Sequence, residues 1–258
     1  METVLIKIGG KAAEKQEALG GLAQEMHTLW KDRRFILVHG GGAEVTALSE
    51  KLGITSVFKD GMRQTSPREM DVVEMVLAGK VNKQLVRLLR THGLDAVGLS
   101  GSDGGMLAGR TVGTLPNGQD TRTGEVTKVD TRLLLLLLVN NYLPVVASPS
   151  MDDSGRALNI NADAAAFAIA SALPSHALVF LSDIPGVMAD GGVLPELSSA
   201  KAGSLVSSGV ISGGMVPKVS AALDALGKGV STVIIGQYEE SGSLARLLDG
   251  RQGTRIWK

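Results

Sequence analysis

A chain of 258 residues, 44% hydrophobic and 20% charged, has the composition of a folded globular protein with room for one large α/β unit or two small ones. Lysine plus arginine and aspartate plus glutamate both number 26, so the formal net charge is zero and gives no reason to expect nucleic acid or an anionic membrane as partner. There is no cysteine, which excludes disulfides, thiolate catalysis and cysteine-ligated zinc.

In chain order, Val4-Leu-Ile-Lys-Ile8 reads as a buried strand ended by a Gly9-Gly10 turn. Leu19, Leu22, Ala23, Met26 and Leu29 recur at helical spacing between Glu14 and Lys31. A second strand, Phe35 to Val38, runs into His39-Gly40-Gly41-Gly42 and a helix from about Ala43 to Leu52, the β-α-β pattern of a parallel sheet. Pro67, at a first helical position, opens a long helical stretch to about Thr91. Ala96 to Leu99 is the next strand, ending in Ser100-Gly-Ser-Asp-Gly-Gly105. Between Gly109 and Val129 the helical period gives way to a hairpin excursion around Leu115-Pro-Asn-Gly118. Asp130 is placed to cap a leucine-rich helix to Asn140, read as buried, before a strand at Leu143 to Ala147. A small-residue helix, Ala164 to Ala172, precedes the strand Ala177 to Leu181. Helices near Ser199 to Ser208 and Pro217 to Leu226, a strand at Thr232 to Ile235, a short helix at Ser243 to Leu248 and a strand at Thr254 to Ile256 complete the chain.

The longest apolar run, Leu133 to Val139, falls far short of the roughly 20 residues that span a bilayer. With the first strand starting at residue 4, no leader segment is expected, and the chain reads as soluble and cytoplasmic. The order of elements predicts a three-layer αβα sandwich with an open, mainly parallel central sheet. It forms one continuous unit with two lobes meeting near residue 175.

Several strands end in glycine or Ser-Asp turns, and a parallel sheet brings such ends to one edge, where ligands bind. Lys7 before Gly9-Gly10 is half of an anion cradle, since a lysine at the end of a buried strand is costly without an anionic partner. Gly40-Gly41-Gly42 offers free amides at a helix N-terminus. No G-x-x-x-x-G-K-[ST] phosphate loop occurs, the dinucleotide fingerprint fails at Val45, and no G-x-S-x-G elbow supports esterase chemistry. Lys218 sits in a first helical turn, where a cation is disfavoured unless an anion is expected. Asp163, at the start of an apolar helix, either caps that helix or fixes the two lysines. Arg63, in a loop, is either solvated or a fork for a substrate carboxylate.

Taken together, Lys7-Ile-Gly-Gly10, His39-Gly-Gly-Gly42, Gly61-Met-Arg63, Leu158-Asn-Ile-Asn-Ala-Asp163, Ser182-Asp-Ile-Pro-Gly186 and Gly213-Gly-Met-Val-Pro-Lys218 resemble the motifs of the amino-acid kinase family, in order along essentially the whole chain. The resemblance implies phosphorylation of a carboxylate by ATP with Mg²⁺ held mainly by the ATP phosphates. The acceptor would lie in the part up to about residue 175 and the nucleotide in 176–258. By the same likeness, Lys7 and Lys218 stabilise the transition state, Asp163 organises them, and Gly10, Gly41 and Gly42 supply amides along the phosphoryl path. Arg63 and Asn159 would hold an acylated acidic amino acid, N-acetylglutamate or alternatively N-acetyl-aminoadipate. Asp183, Ile184, Pro185, Gly186, Val187, Met188, Val210, Ile211 and Ser212 would line the nucleotide pocket. A homodimer is implied too. The competing expectation from another class is a catalytically silent amino-acid or nucleotide sensor.

Overall fold

Alternation along the first strand sets up the layers. In the computed structural model, which describes residues 2–9, 16–59, 61–115, 118–173, 175–189 and 191–258, Glu2–Ile8 turns Val4, Ile6 and Ile8 into one apolar cluster and Leu5 into a second on the opposite face. The first cluster is covered by Gln16–Leu29, the helical run from Pro67 to Thr91, and Ser243–Leu248. Arg132–Val139, Ala162–Ala172, Ser199–Ser207 and Met215–Gly227 cover the second. The expected three-layer αβα arrangement is therefore present.

The central sheet has eight strands in the order Glu196–Ser198, Thr254–Trp257, Val233–Gly236, Ala177–Leu181, Glu2–Ile8, Arg33–His39, Leu143–Ala147 and Ala96–Ser100. The last six are mutually parallel, and the first two run against them. Hydrogen bonds cross the expected seam near residue 175 without interruption, because Glu2–Ile8 pairs with Arg33–His39 on one side and Ala177–Leu181 on the other. The excursion after Gly105 is a small closed barrel of Leu107–Thr111, Thr123–Val129, Ser150–Met151 and Ala157–Ile160. Its bore is tight enough that a Cβ at Gly124 would press on Leu158 and Ile160.

Three local expectations need correction. The leucine-rich helix is not buried throughout: Leu134 and Leu138 face the core, whereas Leu135, Leu136 and Val139 are exposed, Leu136 by 61%. Its N-cap is Thr131, although the Asp130 carboxylate still accepts the Arg132 N–H at 3.1 Å. The long helix is continuous from Pro67, capped by the Ser66 hydroxyl, but Met75–Val81 winds as a π-helix between two α segments. Gly10 and the tip of the Leu115–Gly118 turn lie outside the described residues.

The leucine helix supplies a test of the packing. Leu134→Ala should cost about 2–5 kcal/mol of unfolding free energy, while Leu136→Ala should change it by less than about 1 kcal/mol. Urea denaturation of the two variants checks this.

Candidate active site

Lys7 lies on the face of its strand that carries the second cluster, at the carboxyl end, with its side chain 13% exposed. A buried ammonium needs a counter-charge, and Asp163 Oδ1 stands 2.6 Å from Lys7 Nζ. Asp163 is available for this because Asn161 is the N-cap of Ala162–Ala172, its side-chain oxygen accepting the N–H groups of Asp163 and Ala164 at 2.8 and 3.2 Å. The capping alternative for Asp163 is thus taken by its neighbour. Gly9 completes the arrangement, since a Cβ there would collide with Lys7 Nζ.

On the adjacent strand, His39 is fully buried and leads into the glycine turn. Its Nδ1–H donates to Gly40 O at 2.9 Å, and Nε2 accepts from Asn82 Nδ2 at 3.0 Å. Both bonds are satisfied by the neutral ring. Asn82 also donates to Val145 O, and its own Oδ1 accepts from Lys83 Nζ. Burial, with the Lys83 charge adding to it, lowers the His39 pKa to about 4 against the opposing pull of the Gly40 carbonyl. Gly41 follows with φ +151°, and a Cβ there would sit 2.8 Å from Leu77 of the π-helical turn. The helix Gly42–Lys51 then begins without a side-chain cap on its first amides, and Gly41 and Gly42 border a cavity.

That cavity, about 260 Å³, is walled by Lys7, Gly40, Gly41, Gly42, Arg63 and Asn159 among others. Lys7, Gly41, Gly42, Arg63 and Asn159, all singled out in the sequence, therefore wall one cavity. Arg63 is neither in a loop nor solvated: it ends the short strand Met62–Arg63, paired with Phe58–Lys59, and its side chain is 8% exposed. Nη1 donates to Glu69 Oε1 at 2.6 Å and Ser56 Oγ at 2.5 Å, and Nη2 to Thr46 Oγ1 at 2.7 Å and Gly42 O at 3.0 Å. Phe58 lies under the guanidinium at 4.8 Å. Glu69 is itself buried and is the counter-charge of this group. Nothing in the spacing of the sequence pointed to Thr46, Ser56 or Glu69.

Lys218 belongs to the helix Met215–Gly227, two residues longer at its start than expected, and donates to Ser182 Oγ at 2.7 Å. Ser182 in turn bonds Asp183 Oδ1 at 3.1 Å. Leu181 pairs with Ile8, so Ser182 continues the strand beside Gly9, over which Lys7 folds. The two ammonium groups are thus held over neighbouring strand ends, on the same face and edge, with strands about 4.8 Å apart. A second cavity, about 450 Å³, is lined by Asp183, Ile184, Met188, Val210, Ile211, Ser212 and Lys218, together with Gly214 and Met215, which the sequence reading omitted. Pro185, Gly186 and Val187 do not line it. Val187 is buried, with its N–H on Thr254 Oγ1, and a Cβ at Gly186 would strike Val193 and Thr254. These three shape the turn from behind.

An open parallel sheet whose carboxyl edge carries a glycine turn, a helix N-terminus and two lysines defines a binder of small anionic ligands. The chain belongs to the amino acid kinase family, whose sequence profile matches residues 2–237. It is similar to an acetylglutamate kinase of Chloroflexus aurantiacus, at 44% identity over 98% of this chain and 95% of the relative. A Geobacillus kaustophilus protein of the same name is 42% identical over 91% and 89% of the two chains. Among solved structures, N-acetylglutamate synthase from Neisseria gonorrhoeae complexed with coenzyme A and N-acetyl-glutamate superposes with a TM-score of 0.85 at 26% identity, covering 100% of this chain and 59% of that one. Giardia lamblia carbamate kinase bound to AMP-PNP shares the fold, with a TM-score of 0.70 at 18% identity and coverages of 100% and 98%.

His39 predicts an acid sensitivity. The unfolded chain takes up a proton on this residue near pH 6.5, and the folded chain resists until about pH 4. More protons bound in the unfolded state means stability rises with pH, so the contribution is complete above 6.5 and lost as pH falls to about 4. The loss should be on the order of 3 kcal/mol. Urea midpoints from pH 7 to 4 should fall more steeply for the wild type than for His39→Gln.

Proposed function

We propose that the protein transfers the γ-phosphoryl group of MgATP to the side-chain carboxylate of N-acetyl-L-glutamate, giving N-acetylglutamyl 5-phosphate and ADP, a step of arginine biosynthesis. The observation that carries this reading is the pair of lysines over neighbouring strand ends, one facing each cavity. A glutamate side chain, with pKa about 4.3, is ionised at neutral pH and attacks phosphorus without a general base. One carboxylate oxygen forms the new P–O bond, the bond to the β,γ-bridging oxygen breaks, and its electron pair leaves with ADP. No proton moves. The protein's task is in-line positioning and neutralisation of the charge on the transferred group.

Lys7 and Lys218 supply positive charge to the equatorial and leaving oxygens, with Asp163 fixing the direction of Lys7. The amides at Gly41 and Gly42 line the path on the acceptor side. Arg63 and Asn159 hold the acylated amino acid, Arg63 through Nε–H or by exchanging Thr46 or Gly42 for a carboxylate oxygen. Gly10 keeps the amide role that the family likeness implies. The nucleotide fills the second cavity, so acceptor and donor divide between the stretches before and after about residue 175. Mg²⁺ neutralises phosphate charge when bound. The ion would be held mainly by the ATP phosphates, as the family likeness implies.

The shared name of relatives at 40–44% identity favours N-acetylglutamate over N-acetyl-aminoadipate as acceptor. A cytoplasmic homodimer belongs to the same reading. Among the described residues no helix is long and apolar enough to cross a membrane.

Hydroxamate trapping of acyl phosphate, run with MgATP and a panel of acidic amino acids, decides the proposal. N-acetylglutamate should give the highest kcat/KM, and ligand-induced stabilisation without ADP release would instead mark a silent sensor. Lys218→Ala should lower kcat by roughly 10²–10³-fold with little change in thermal midpoint, because its partner is a neutral hydroxyl. Lys7→Ala should lose comparable activity and also stability, since it strands the Asp163 carboxylate. That cost should fall below the roughly 3–5 kcal/mol of a fully buried pair, because Asp163 is 32% exposed.

A further inference from the structure

Three threonines lie where the chain leaving the short strand Met62–Arg63 meets the small barrel. Thr65 and Thr121 are fully buried and Thr123 is 5% exposed. Thr123 Oγ1 donates to Arg63 O at 2.6 Å, accepts the Thr65 N–H at 3.0 Å, and shares a 2.8 Å bond with Thr121 Oγ1. Thr121 Oγ1 also lies 3.0 Å from Thr65 O. Thr65 Oγ1 accepts from Asn159 Nδ2 at 2.8 Å. The backbone follows the same route, with Arg122 N donating to Thr65 O and Asn159 N to Arg122 O.

Thr123 lines the same cavity as Arg63 and Asn159, and its hydroxyl is already engaged with Arg63 O, the Thr65 N–H and Thr121 Oγ1. Its role is to set where other groups stand. It fixes the main chain of Arg63, whose guanidinium is separately clamped by Glu69, Ser56, Thr46 and Gly42. Through Thr65 the same ladder fixes the amide of Asn159. Arg63 and Asn159 come from segments almost a hundred residues apart, and the ladder is the hydrogen-bonded link between them.

We infer that the Thr65–Thr121–Thr123 hydroxyl ladder is a positioning device for the acceptor, holding Arg63 and Asn159 at one fixed separation and so setting acceptor affinity independently of the nucleotide. This rests on the reading of Arg63 and Asn159 as the groups that hold the acylated amino acid. A valine at position 123 keeps the shape of the threonine but removes the bond to Arg63 O and leaves the Thr65 N–H without its acceptor.

The test is steady-state kinetics on the full chain for Thr123→Val, Thr123→Ser and Thr65→Val, with N-acetylglutamate and MgATP varied separately. Thr123→Val should raise the acceptor KM roughly tenfold or more, with the MgATP KM within about twofold of wild type. Thr123→Ser, which retains the hydroxyl, should restore the acceptor KM to within about threefold. Thr65→Val breaks the ladder at its Asn159 end and should reproduce the selective rise, which keeps the question decidable if Thr123→Val folds poorly. An unchanged acceptor KM in both valine variants overturns the proposal, as does an equal rise for both substrates, the signature of general loosening. A wild type that forms no acyl phosphate from N-acetylglutamate overturns the parent reading and this one with it. An active wild type with unaffected variants overturns this one alone.

Discussion

A charge at the end of a buried strand governs the arrangement of this protein. Lys7 has to be stabilised where the chain leaves the core, and Asp163 does so at 2.6 Å. That contact imposes conditions elsewhere. Asn161 takes over the helix cap, Gly9 leaves the space into which Lys7 Nζ folds, and the helix Ala162–Ala172 approaches closely, which its alanines permit. Each condition is local chemistry, and each is met by a residue near one of the two partners.

The second lysine is held in a different way. Among the described residues, Lys218 rests on the hydroxyl of Ser182 rather than directly on a carboxylate. A neutral partner orients an ammonium without cancelling its charge, whereas an ion pair does both. Lys7 is therefore fixed and partly neutralised, and Lys218 keeps more of its field for an incoming anion. The glycine turn between the flanking strands is braced from beneath by the neutral His39 and by Asn82, at the exit of the π-helical turn. Such turns recur at functional sites because they offset the side chains that follow from the regular helical rows.

The parallel strands of the sheet and the edge that carries the glycine turns were readable because apolar runs ended by glycine leave few alternatives, but the order of strands in the sheet and the strand Glu196–Ser198 were not. The cost of burying Lys7 was readable too, but Asp163 stood there only as one of two alternatives, since it lies more than 150 residues away and capping explained it equally well; the family likeness, not the spacing, favoured the pairing. Six consecutive leucines carry no period, so the exposed side of Arg132–Val139 could not be inferred from them. The π turn hid inside an unbroken helical pattern. The clamp on Arg63 and the threonine ladder were invisible for a shared reason: serine, threonine and glutamate scattered between Thr46 and Thr123 acquire a role only when the barrel and the Arg63 strand meet. Gly186 and Val187 show the opposite error, for a motif that marks a pocket also includes the residues that merely bend the chain around it.

The strand Thr254–Trp257 lies inside the sheet, between Val233–Gly236 and Glu196–Ser198. During vectorial synthesis that slot stays open until residues 254–257 have emerged, and Glu196–Ser198 has no neighbour to pair with before then. Thr254 then delivers its hydroxyl to Val187 N and Leu194 O, behind the turn that flanks the second cavity. The turn beside the Lys218 cavity is therefore completed by a strand 67 residues further along the chain.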